Sequence, residues 1–315
     1  MDQGVFQGYF LVEPPIGNHM VFYPATDQYC GCPTEPFDFD PKFFSYQKDQ
    51  LMEKVLESAE SEIFYRKIGS GNPVVLIHGF GEDGSIWQGL IDSLKDHSEF
   101  LIPDVPGSGR SVVKGGKWSI DDLAGSIAAI LDHEQTSFAP MIGHSMGGYI
   151  ALAFAEKYPG RLNALGLFHS SAFADTEDKK TTRKRGIQFI EEHGQAKFLE
   201  QATPNLFSEI FREENPQVVT EIIDRYTNFQ DTALVHYYEA MMQRPDRTQV
   251  LKNFSHPVLF ILGEHDTAIP LADGLKQCHI PRLSYIHILR NSGHMGMVEE
   301  PIKSRGILQK FLEDL

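Results

Sequence analysis

Cysteine is scarce in this chain, and the number present is odd. The 315 residues include three cysteines, Cys30, Cys32 and Cys278. Small secreted scaffolds carry a dense, even set of cysteines, so this composition argues against a disulfide framework. We therefore expect the protein in a reducing cytoplasm. Cys30 and Cys32 have no second cysteine or histidine pair at zinc-finger spacing, so two free thiols are favoured over a metal site.

Long apolar runs and basic residues are lacking as well. No uninterrupted apolar stretch approaches the roughly 20 residues that span a bilayer, and the first residues do not have the pattern of a signal peptide. Lys and Arg number 28 against 43 Asp and Glu, which gives a formal net charge of −15. Nucleic acids and anionic membranes bind clustered basic residues, so we expect neither as a partner. A small, uncharged molecule is the favoured substrate, and both a monomer and a homo-oligomer remain open.

The composition that is present predicts a packed globular fold. Hydrophobic residues make up 41% and charged residues 23% of the chain, and the length is sufficient for one large domain with a sizeable core. Residues 1–55 are rich in proline, glycine and aromatic residues and have little periodicity, so we expect an irregular N-terminal extension there. Its aromatic content favours an ordered packing arm over a free tail.

Strand and helix patterns alternate over most of the remaining chain. Short apolar runs predict strands at 63–65, 74–77, 100–102, 139–142, 165–168, 257–262 and 284–289. Helical spacing predicts helices at 85–94, 119–131, 146–158 and 300–312. Such alternation indicates an α/β fold, with a mostly parallel central sheet flanked by helices and a ligand site at the carboxyl ends of the strands. The core would comprise residues 56–172 and 257–315, interrupted by a helical insertion at 173–256.

The clearest motif lies between a predicted strand and a predicted helix. Gly143-His144-Ser145-Met146-Gly147 follows the strand that ends at residue 142. In this context G-x-S-x-G places a serine on a strained turn with its oxygen exposed above the sheet. Gly143 and Gly147 are needed because the turn brings their backbones close together. A glycine-rich turn with no chemistry is the plainer alternative.

Two further loops give the chain a family resemblance. His78-Gly79-Phe80-Gly81 follows a predicted strand, and Asp104-Val105-Pro106-Gly107-Ser108-Gly109-Arg110-Ser111 follows the next. With the serine motif, these loops resemble those of the α/β-hydrolase superfamily over residues 60–315, in its capped, serine-nucleophile, esterase- and lipase-like branch. The resemblance implies an oxyanion hole formed by the backbone N–H groups of Phe80 and Met146. It also implies supporting roles for His78 and Gly79, and a structural role for the Asp104 loop.

A serine nucleophile needs a base beside it and a carboxylate that fixes the tautomer of that base. The resemblance assigns the acid to Asp266 in Gly263-Glu264-His265-Asp266, with Glu264 as a competitor, and the base to His294, which follows Gly293. The order serine, acid, histidine is the order of this fold. The chain has 13 histidines. Of the others, His78 is expected to be structural, His144 to pack or bond locally, and His265 to lie at the surface.

The resemblance implies hydrolysis of an ester through an acyl-enzyme, without a metal or an organic cofactor. Relatives that hydrolyse haloalkanes or epoxides have an aspartate in place of Ser145, which favours acyl transfer here. Carbon–carbon bond hydrolases, lactonases and perhydrolases of the same fold remain alternatives, and so does a catalytically silent ligand-binding protein. The insertion occupies the family's cap position, between the sixth and seventh core strands, and its aromatic and methionine residues are candidates for the substrate pocket.

Overall fold

The computed structural model describes residues 51–58, 61–91, 94–116, 118–226, 229 and 231–315, and the backbone of a short strand at 19–22. Cys30, Cys32 and most of the segment predicted to be an irregular extension lie outside these residues. The strands are β1 His19–Phe22, β2 Leu51–Glu57, β3 Ser61–Gly69, β4 Asn72–Ile77, β5 Ser98–Pro103, β6 Val112–Val113, β7 Met141–His144, β8 Leu165–Phe168, β9 Val258–Gly263 and β10 Leu283–Leu289.

All ten strands belong to one sheet. Its order is β1-β10-β9-β8-β7-β4-β5-β3-β2, and β6 pairs with β3. The strands from β1 to β5 in this order are parallel to their neighbours, whereas β3 is antiparallel to β5, β2 and β6. The central strands β7, β8 and β9 are buried along their whole length. Burial on both faces is typical of parallel sheets with helices on each side.

The α-helices connect these strands or form the insertion. They are α1 Gln88–Ile91, α2 Ile120–His133, α3 Met146–Lys157, α4 Glu177–His193, α5 Gln195–Ala202, α6 Glu209–Glu214, α7 Pro216–Tyr226, α8 Asp231–Gln243, α9 Thr248–Asn253, α10 Leu271–Leu275, α11 Gly296–Glu299 and α12 Pro301–Glu313, with 3-10 helices at Gly84–Trp87 and Thr203–Leu206. Local sequence explains where α2 begins, because Ser119 and Asp122 form a reciprocal capping box. In the described part of the chain no helix is long and apolar enough to cross a membrane.

The predicted α/β architecture is confirmed, and each predicted core strand overlaps an observed one, with starts one and two residues early at β9 and β7. The N-terminal boundary differs from the prediction. Strand β2 begins at Leu51, inside the segment 1–55 that was expected to be irregular, and β1 also falls in that segment. Strand β2 was hard to find from its sequence because it lies at the edge of the sheet, where most of its residues are exposed and do not alternate. Its hydrogen bonds come from antiparallel pairing with β3.

The sheet topology brings the candidate residues to one edge. Ser145 directly follows β7, and Phe80 lies three residues after β4. Asp266 and His294 follow β9 and β10, which lie on the other side of β7 with β8 between. Helices α4 to α9 connect the neighbouring parallel strands β8 and β9, so the insertion at 173–256, called the cap below, begins at this carboxyl edge and returns to the opposite edge, where β9 starts.

Candidate active site

Ser145 occupies a strained turn between β7 and α3. Its φ of 50° and ψ of −114° place it outside the regions that non-glycine residues prefer. A Cβ at Gly143 would lie 2.2 Å from the backbone of Gly147, and a Cβ at Gly147 would lie 2.2 Å from the Ile77 carbonyl oxygen. Side chains at these positions would force the backbones apart. The spacing of glycines around the serine therefore has a direct steric cause.

The loop that follows β4 packs directly against this turn. A Cβ at Gly79 would lie 3.2 Å from the Ser145 Cβ, which leaves no room for a side chain there without displacement. Among the described residues, no hydrogen bond uses the backbone N–H of Phe80 or Met146 as donor. Met146 is the first residue of α3, where the N–H has no acceptor within the helix. Both groups are thus available to an oxygen atom bound beside Ser145.

His294 and Asp266 form a buried pair. The His294 Nδ1 lies 2.8 Å from the Asp266 Oδ2, and the second oxygen of Asp266 accepts the N–H groups of Ala268 and Ile269 at 2.8 Å each. Burial alone raises the pKa of Asp266, but the imidazoles beside it outweigh that effect and hold the pKa well below its ordinary value. Glu264, the competing acid, is exposed to solvent, so the geometry favours Asp266.

The bond to Asp266 fixes the tautomer of His294. An ionised carboxylate can only accept, so the proton between the two residues belongs to Nδ1 and the lone pair of the neutral ring is on Nε2. In the described chain, no hydrogen bond involves the His294 Nε2. This nitrogen is therefore free to accept a proton, as a general base must.

His144 connects the serine turn to the histidine loop. Its Nδ1 lies 3.0 Å from the Glu82 Oε2, and its Nε2 lies 2.9 Å from the backbone oxygen of His294. The same Glu82 oxygen accepts the Gly79 N–H at 2.8 Å. The expectation that His144 bonds locally was wrong, because its partners come from the loops after β4 and β10. The three loops around the site are thereby joined at one buried imidazole.

The charges of His144 and Glu82 follow from these bonds. Both ring nitrogens of His144 face acceptors, so both carry protons and the ring is a cation paired with the Glu82 carboxylate. Burial alone lowers the pKa of His144, but the Glu82 charge and hydrogen bond outweigh it and raise the pKa. Burial alone raises the pKa of Glu82, but His144 and the Gly79 N–H lower it.

His78 and His169 hold neighbouring loops in place. The Nε2 of His78 accepts the Val105 N–H at 2.9 Å, and its Nδ1 donates to the Gly79 oxygen at 2.8 Å. The Nε2 of His169 accepts the Gly296 N–H at 3.2 Å. Its Nδ1 lies 3.2 Å from the Asp266 Oδ2, but in an orientation without an aligned hydrogen bond. Burial lowers the pKa of His169 to about 4 despite the nearby carboxylate, so the ring is neutral.

His169, Asp266 and His294 are the one group of side chains in the described residues with the composition of a metal site. Their geometry argues for hydrogen bonding instead. The 2.8 Å separation of the His294 Nδ1 and the Asp266 Oδ2 is a direct hydrogen-bond distance. Zinc ligands are each about 2.0–2.2 Å from the ion, and an ion between these two atoms would push them farther apart.

Aromatic residues of the cap cover the loop after β4. The Phe80 ring stacks on Tyr238 with 4.3 Å between centroids, and it meets Phe198 and Tyr237 edge-on at 6.2 and 6.4 Å. Most of the other candidate pocket residues in the cap, including Phe207 and Phe211, are buried in its core. The cap therefore contributes an apolar wall immediately next to one of the two candidate oxyanion donors.

Three residues of the site had no predicted role from the sequence: Glu82, His169 and Glu299. Glu299 is buried and accepts three backbone N–H groups, those of Gly293, Met295 and Ser208. Burial raises its pKa, against the effect of these N–H groups. A buried carboxylate beside a catalytic loop has no periodic signature, so only its position five residues after His294 could have drawn attention to it.

Comparison with known proteins agrees with this fold. The alpha/beta hydrolase fold family model matches residues 72–301. The chain is similar to 3-oxoadipate enol-lactonase 2 of Acinetobacter baylyi, with 27% identity over 248 residues that cover 78% of this chain and 91% of the relative. It is also 26% identical over 261 residues to 2-hydroxy-6-oxo-2,4-heptadienoate hydrolase of Pseudomonas putida, covering 77% of this chain and 88% of that protein.

A solved structure has a similar fold. A thermophilic esterase from Thermogutta terrifontis superposes with a TM-score of 0.78 at 27% identity, covering 84% of this chain and 98% of the esterase. The family match extends over most of the chain and includes the loops of Phe80, Ser145, Asp266 and His294. The chain belongs to the α/β-hydrolase fold family.

Proposed function

We propose that this chain is a serine hydrolase that cleaves a carboxylic ester, or a related acyl bond, of a small to medium and mostly apolar substrate. The observation that carries the proposal is the buried hydrogen bond between His294 and Asp266 on a loop bonded to the turn of Ser145. This bond leaves the His294 Nε2 as the basic atom. A strained serine on a turn that is bonded to the loop of a histidine with an unused ring nitrogen fits nucleophilic acyl transfer.

In the first half of the reaction, Ser145 is the nucleophile. Its Oγ attacks the carbonyl carbon of the substrate while His294 takes the hydroxyl proton on Nε2. The carbonyl oxygen becomes an oxyanion, and the N–H groups of Phe80 and Met146 stabilise it. The tetrahedral intermediate then collapses, the bond to the leaving alcohol breaks, and His294 returns the proton to the alcohol oxygen. The acyl group remains on Ser145.

In the second half, water replaces the alcohol. His294 takes a proton from water, the resulting hydroxide attacks the acyl carbon, and the same two N–H groups stabilise the second oxyanion. When the intermediate collapses, the Ser145 oxygen leaves and takes the proton from His294. Asp266 stays ionised throughout and stabilises the imidazolium that forms twice in the cycle. No step uses a metal or an organic cofactor.

The contacts of Phe80 support an apolar substrate. Because Phe80 supplies an N–H group to the proposed oxyanion hole and its ring stacks on Tyr238, the acyl group would enter beside aromatic side chains of the cap. Such a wall favours hydrocarbon over charged groups by removing apolar surface from water.

Two relatives favour specific alternatives within the same site. The enol-lactonase acts on a cyclic ester, and the heptadienoate hydrolase is named for a dienoate substrate. A lactone requires no change in the steps above, because the alcohol simply remains attached to the acyl group. A carbon–carbon bond hydrolase or a perhydrolase would use the same Ser145 and His294, so the substrate decides among them. A silent binding protein is disfavoured by the retained Ser145, Asp266 and His294.

The test is an initial-rate panel of p-nitrophenyl esters with increasing acyl length, together with simple lactones. Ser145→Ala is assayed beside Ser126→Ala, a matched loss of a buried serine hydroxyl on α2. Activity that disappears with Ser145→Ala and persists with Ser126→Ala supports the proposal. Equal activity in the two variants, or none in folded wild type on any ester or lactone, would overturn it.

We further propose a cytoplasmic location, and both a monomer and a homo-oligomer are compatible with the proposed function. Cell fractionation with an antibody to the chain would check the first. Size-exclusion chromatography with light scattering would decide the second, by comparing the measured mass with the 35.5 kDa of one chain.

A further inference from the structure

Glu299 holds the backbone on both sides of His294. One of its oxygens, Oε1, accepts the N–H of Gly293 at 2.9 Å and the N–H of Met295 at 3.0 Å. These residues are the two chain neighbours of His294. Because Glu299 is buried, the bonds are shielded from competing water. The position of the His294 backbone thus depends on the position of this one carboxylate.

The other oxygen of Glu299 faces the cap. Its Oε2 accepts the N–H of Ser208 at 2.8 Å, and Ser208 is the residue that caps the start of α6. A single side chain is therefore bonded to the histidine loop through one oxygen and to the cap through the other.

The cap also contacts the histidine loop directly. The N–H of His294 donates to the Leu206 carbonyl oxygen at 2.6 Å. A Cβ at Gly293 would lie 2.7 Å from that oxygen and 2.7 Å from the Ser208 nitrogen, so the two backbones are packed as closely as a glycine permits. Residues 206–208 of the cap are in this way part of the support of His294.

We infer that Glu299 is a positioning residue for His294. Through the contacts of Glu299 with Ser208 and of His294 with Leu206, the position of the cap controls whether His294 is held in place to act as a base. The inference rests on the proposed role of His294. Displacement of residues 206–208 would take away the acceptor of the His294 N–H and one of the three donors to Glu299. The Gly293–Met295 backbone would then be free to move relative to Ser145 even though Asp266 still holds the imidazole.

The backbone at Ser208 permits a selective test. Its φ of −61° is the value that proline fixes, and Phe207 before it is extended, with φ −92° and ψ 153°, as a residue preceding proline must be. Ser208→Pro therefore removes the N–H without changing the backbone conformation. It also removes the hydroxyl, which accepts the Phe211 N–H and donates to the Asn291 oxygen.

Ser208→Ala is the matched control, because it loses the same hydroxyl and keeps the N–H. Proline also places a ring carbon on this nitrogen, close to Glu299 and Gly293. The ratio of the two variants therefore measures the effect of disrupting the contact with Glu299, through both the lost hydrogen bond and the added carbon. We expect Ser208→Pro to have a kcat about tenfold or more below that of Ser208→Ala, since small displacements of reacting groups are costly to rate. KM should differ by less than about twofold, because the apolar wall is not altered. The rate of covalent labelling of Ser145 by a fluorophosphonate should fall in parallel with kcat.

A purely structural role for Glu299 predicts a different result. Thermal denaturation would then separate the variants, but kcat and the labelling rate, measured well below the transition, would not. Equal kcat in folded Ser208→Pro and Ser208→Ala would overturn the inference. If Ser208→Pro does not fold, Glu299→Gln replaces it, because one amide oxygen cannot accept from both the histidine loop and Ser208. Wild-type kcat in folded Glu299→Gln would overturn the inference as well.

If the proposed function itself is wrong, the activities of the variants show a different pattern. In that case wild type is inactive, or its activity survives in Ser145→Ala, and no comparison at Ser208 is needed. If wild-type activity depends on Ser145 and yet the two Ser208 variants are equal, the proposed function stands and only the role of the cap contact is refuted.

Discussion

Replacing Glu82 with glutamine should destabilise the protein, because Glu82 is one half of a buried ion pair. The Glu82 and His144 side chains are 4% and 1% exposed, and their atoms meet at 3.0 Å. The other nitrogen of His144 donates to a backbone oxygen, which keeps the ring doubly protonated. Glutamine has nearly the same shape as glutamate, so the substitution removes the charge and little else.

The expected magnitude follows from the bonds of one oxygen. The Oε2 of Glu82 accepts from both His144 and Gly79, so an amide nitrogen in its place would oppose the Gly79 N–H, and an amide oxygen would leave His144 without a counter-ion. Removing one partner of a buried pair costs roughly 3–5 kcal/mol. Deprotonation of His144 would limit this cost, because an unpaired buried cation can lose its proton at about 1.4 kcal/mol per unit of pKa shift. We therefore expect a loss near the lower limit, about 3 kcal/mol at pH 6.

The pH dependence has a definite sign. The pKa of His144 is raised in the folded protein, so its contribution to stability is complete below its ordinary value of about 6.5 and is lost as the pH rises through the folded pKa. The pKa of Glu82 is lowered, so its contribution is present above about 4.5 and is lost as the pH falls through its folded pKa. Wild type should thus have its full advantage over Glu82→Gln near pH 6 and lose it as the pH rises through the raised pKa of His144.

Urea denaturation at pH 6 and pH 9 measures this directly. The set comprises wild type, Glu82→Gln, His144→Asn, the double variant, and Glu62→Gln as a control that breaks the exposed pair with Lys114. The control should lose less than about 1 kcal/mol. The double variant should be more stable than the sum of the two single losses predicts, by about 2 kcal/mol or more at pH 6. A loss below about 0.5 kcal/mol in Glu82→Gln at pH 6, or a coupling of zero, would refute the ion pair.

Three further predictions concern the site and its surroundings. Asp266→Asn should lower kcat on p-nitrophenyl esters by about 10³- to 10⁴-fold, because an asparagine amide can hold His294 in the wrong tautomer. Glu264→Gln should have little effect, and equal losses in the two variants would contradict the assignment of the acid. Tyr238→Ala removes the ring stacked on Phe80 and so leaves more room beside the proposed acyl group. The ratio of kcat/KM for octanoyl over butanoyl esters should rise by about tenfold, and an unchanged ratio would place the acyl group elsewhere. Gly147→Ala should lower the free energy of unfolding by about 1–3 kcal/mol because its Cβ meets the Ile77 oxygen. Gly125→Ala on α2 should raise it by about 0.5–1 kcal/mol, because a Cβ there would be in ordinary contact with the Tyr158 hydroxyl at 3.9 Å; chemical denaturation would contradict the steric argument if both changes had the same sign.

The features that could be predicted from the sequence are those that depend on a local pattern of residues. Buried strands of a parallel sheet are short apolar runs, and each predicted run overlaps an observed strand. Ser145 was identifiable because strand, glycines and helix are adjacent in the chain. The edge strand β2 was not predicted at all, because what stabilises it is pairing with β3, a partner that no local pattern specifies.

The supporting residues of the site depend on distant partners. Glu82 and His144 are 62 positions apart, and Glu299 and Ser208 are 91 apart. Nothing in the local sequence of these residues indicates the contact. Glu299 also stands beside Glu300 just before α12, where acidic residues are common for the unrelated reason that they favour a helix N-terminus. A residue whose role is to accept backbone N–H groups looks in sequence like any other acid near a helix.

The hydrogen bonds of the second ring nitrogen identify the base more firmly than the motifs do. His78 and His169 each use Nε2 to accept a backbone N–H, so neither has a lone pair to offer a substrate proton. His144 donates from both nitrogens and has no lone pair on its ring at all. His294 also donates through Nδ1, to Asp266, but it alone among these four leaves Nε2 without a protein partner in the described chain. Of the four buried imidazoles, His294 is therefore the one whose Nε2 lone pair no protein group in the described residues uses, which is what general base catalysis requires.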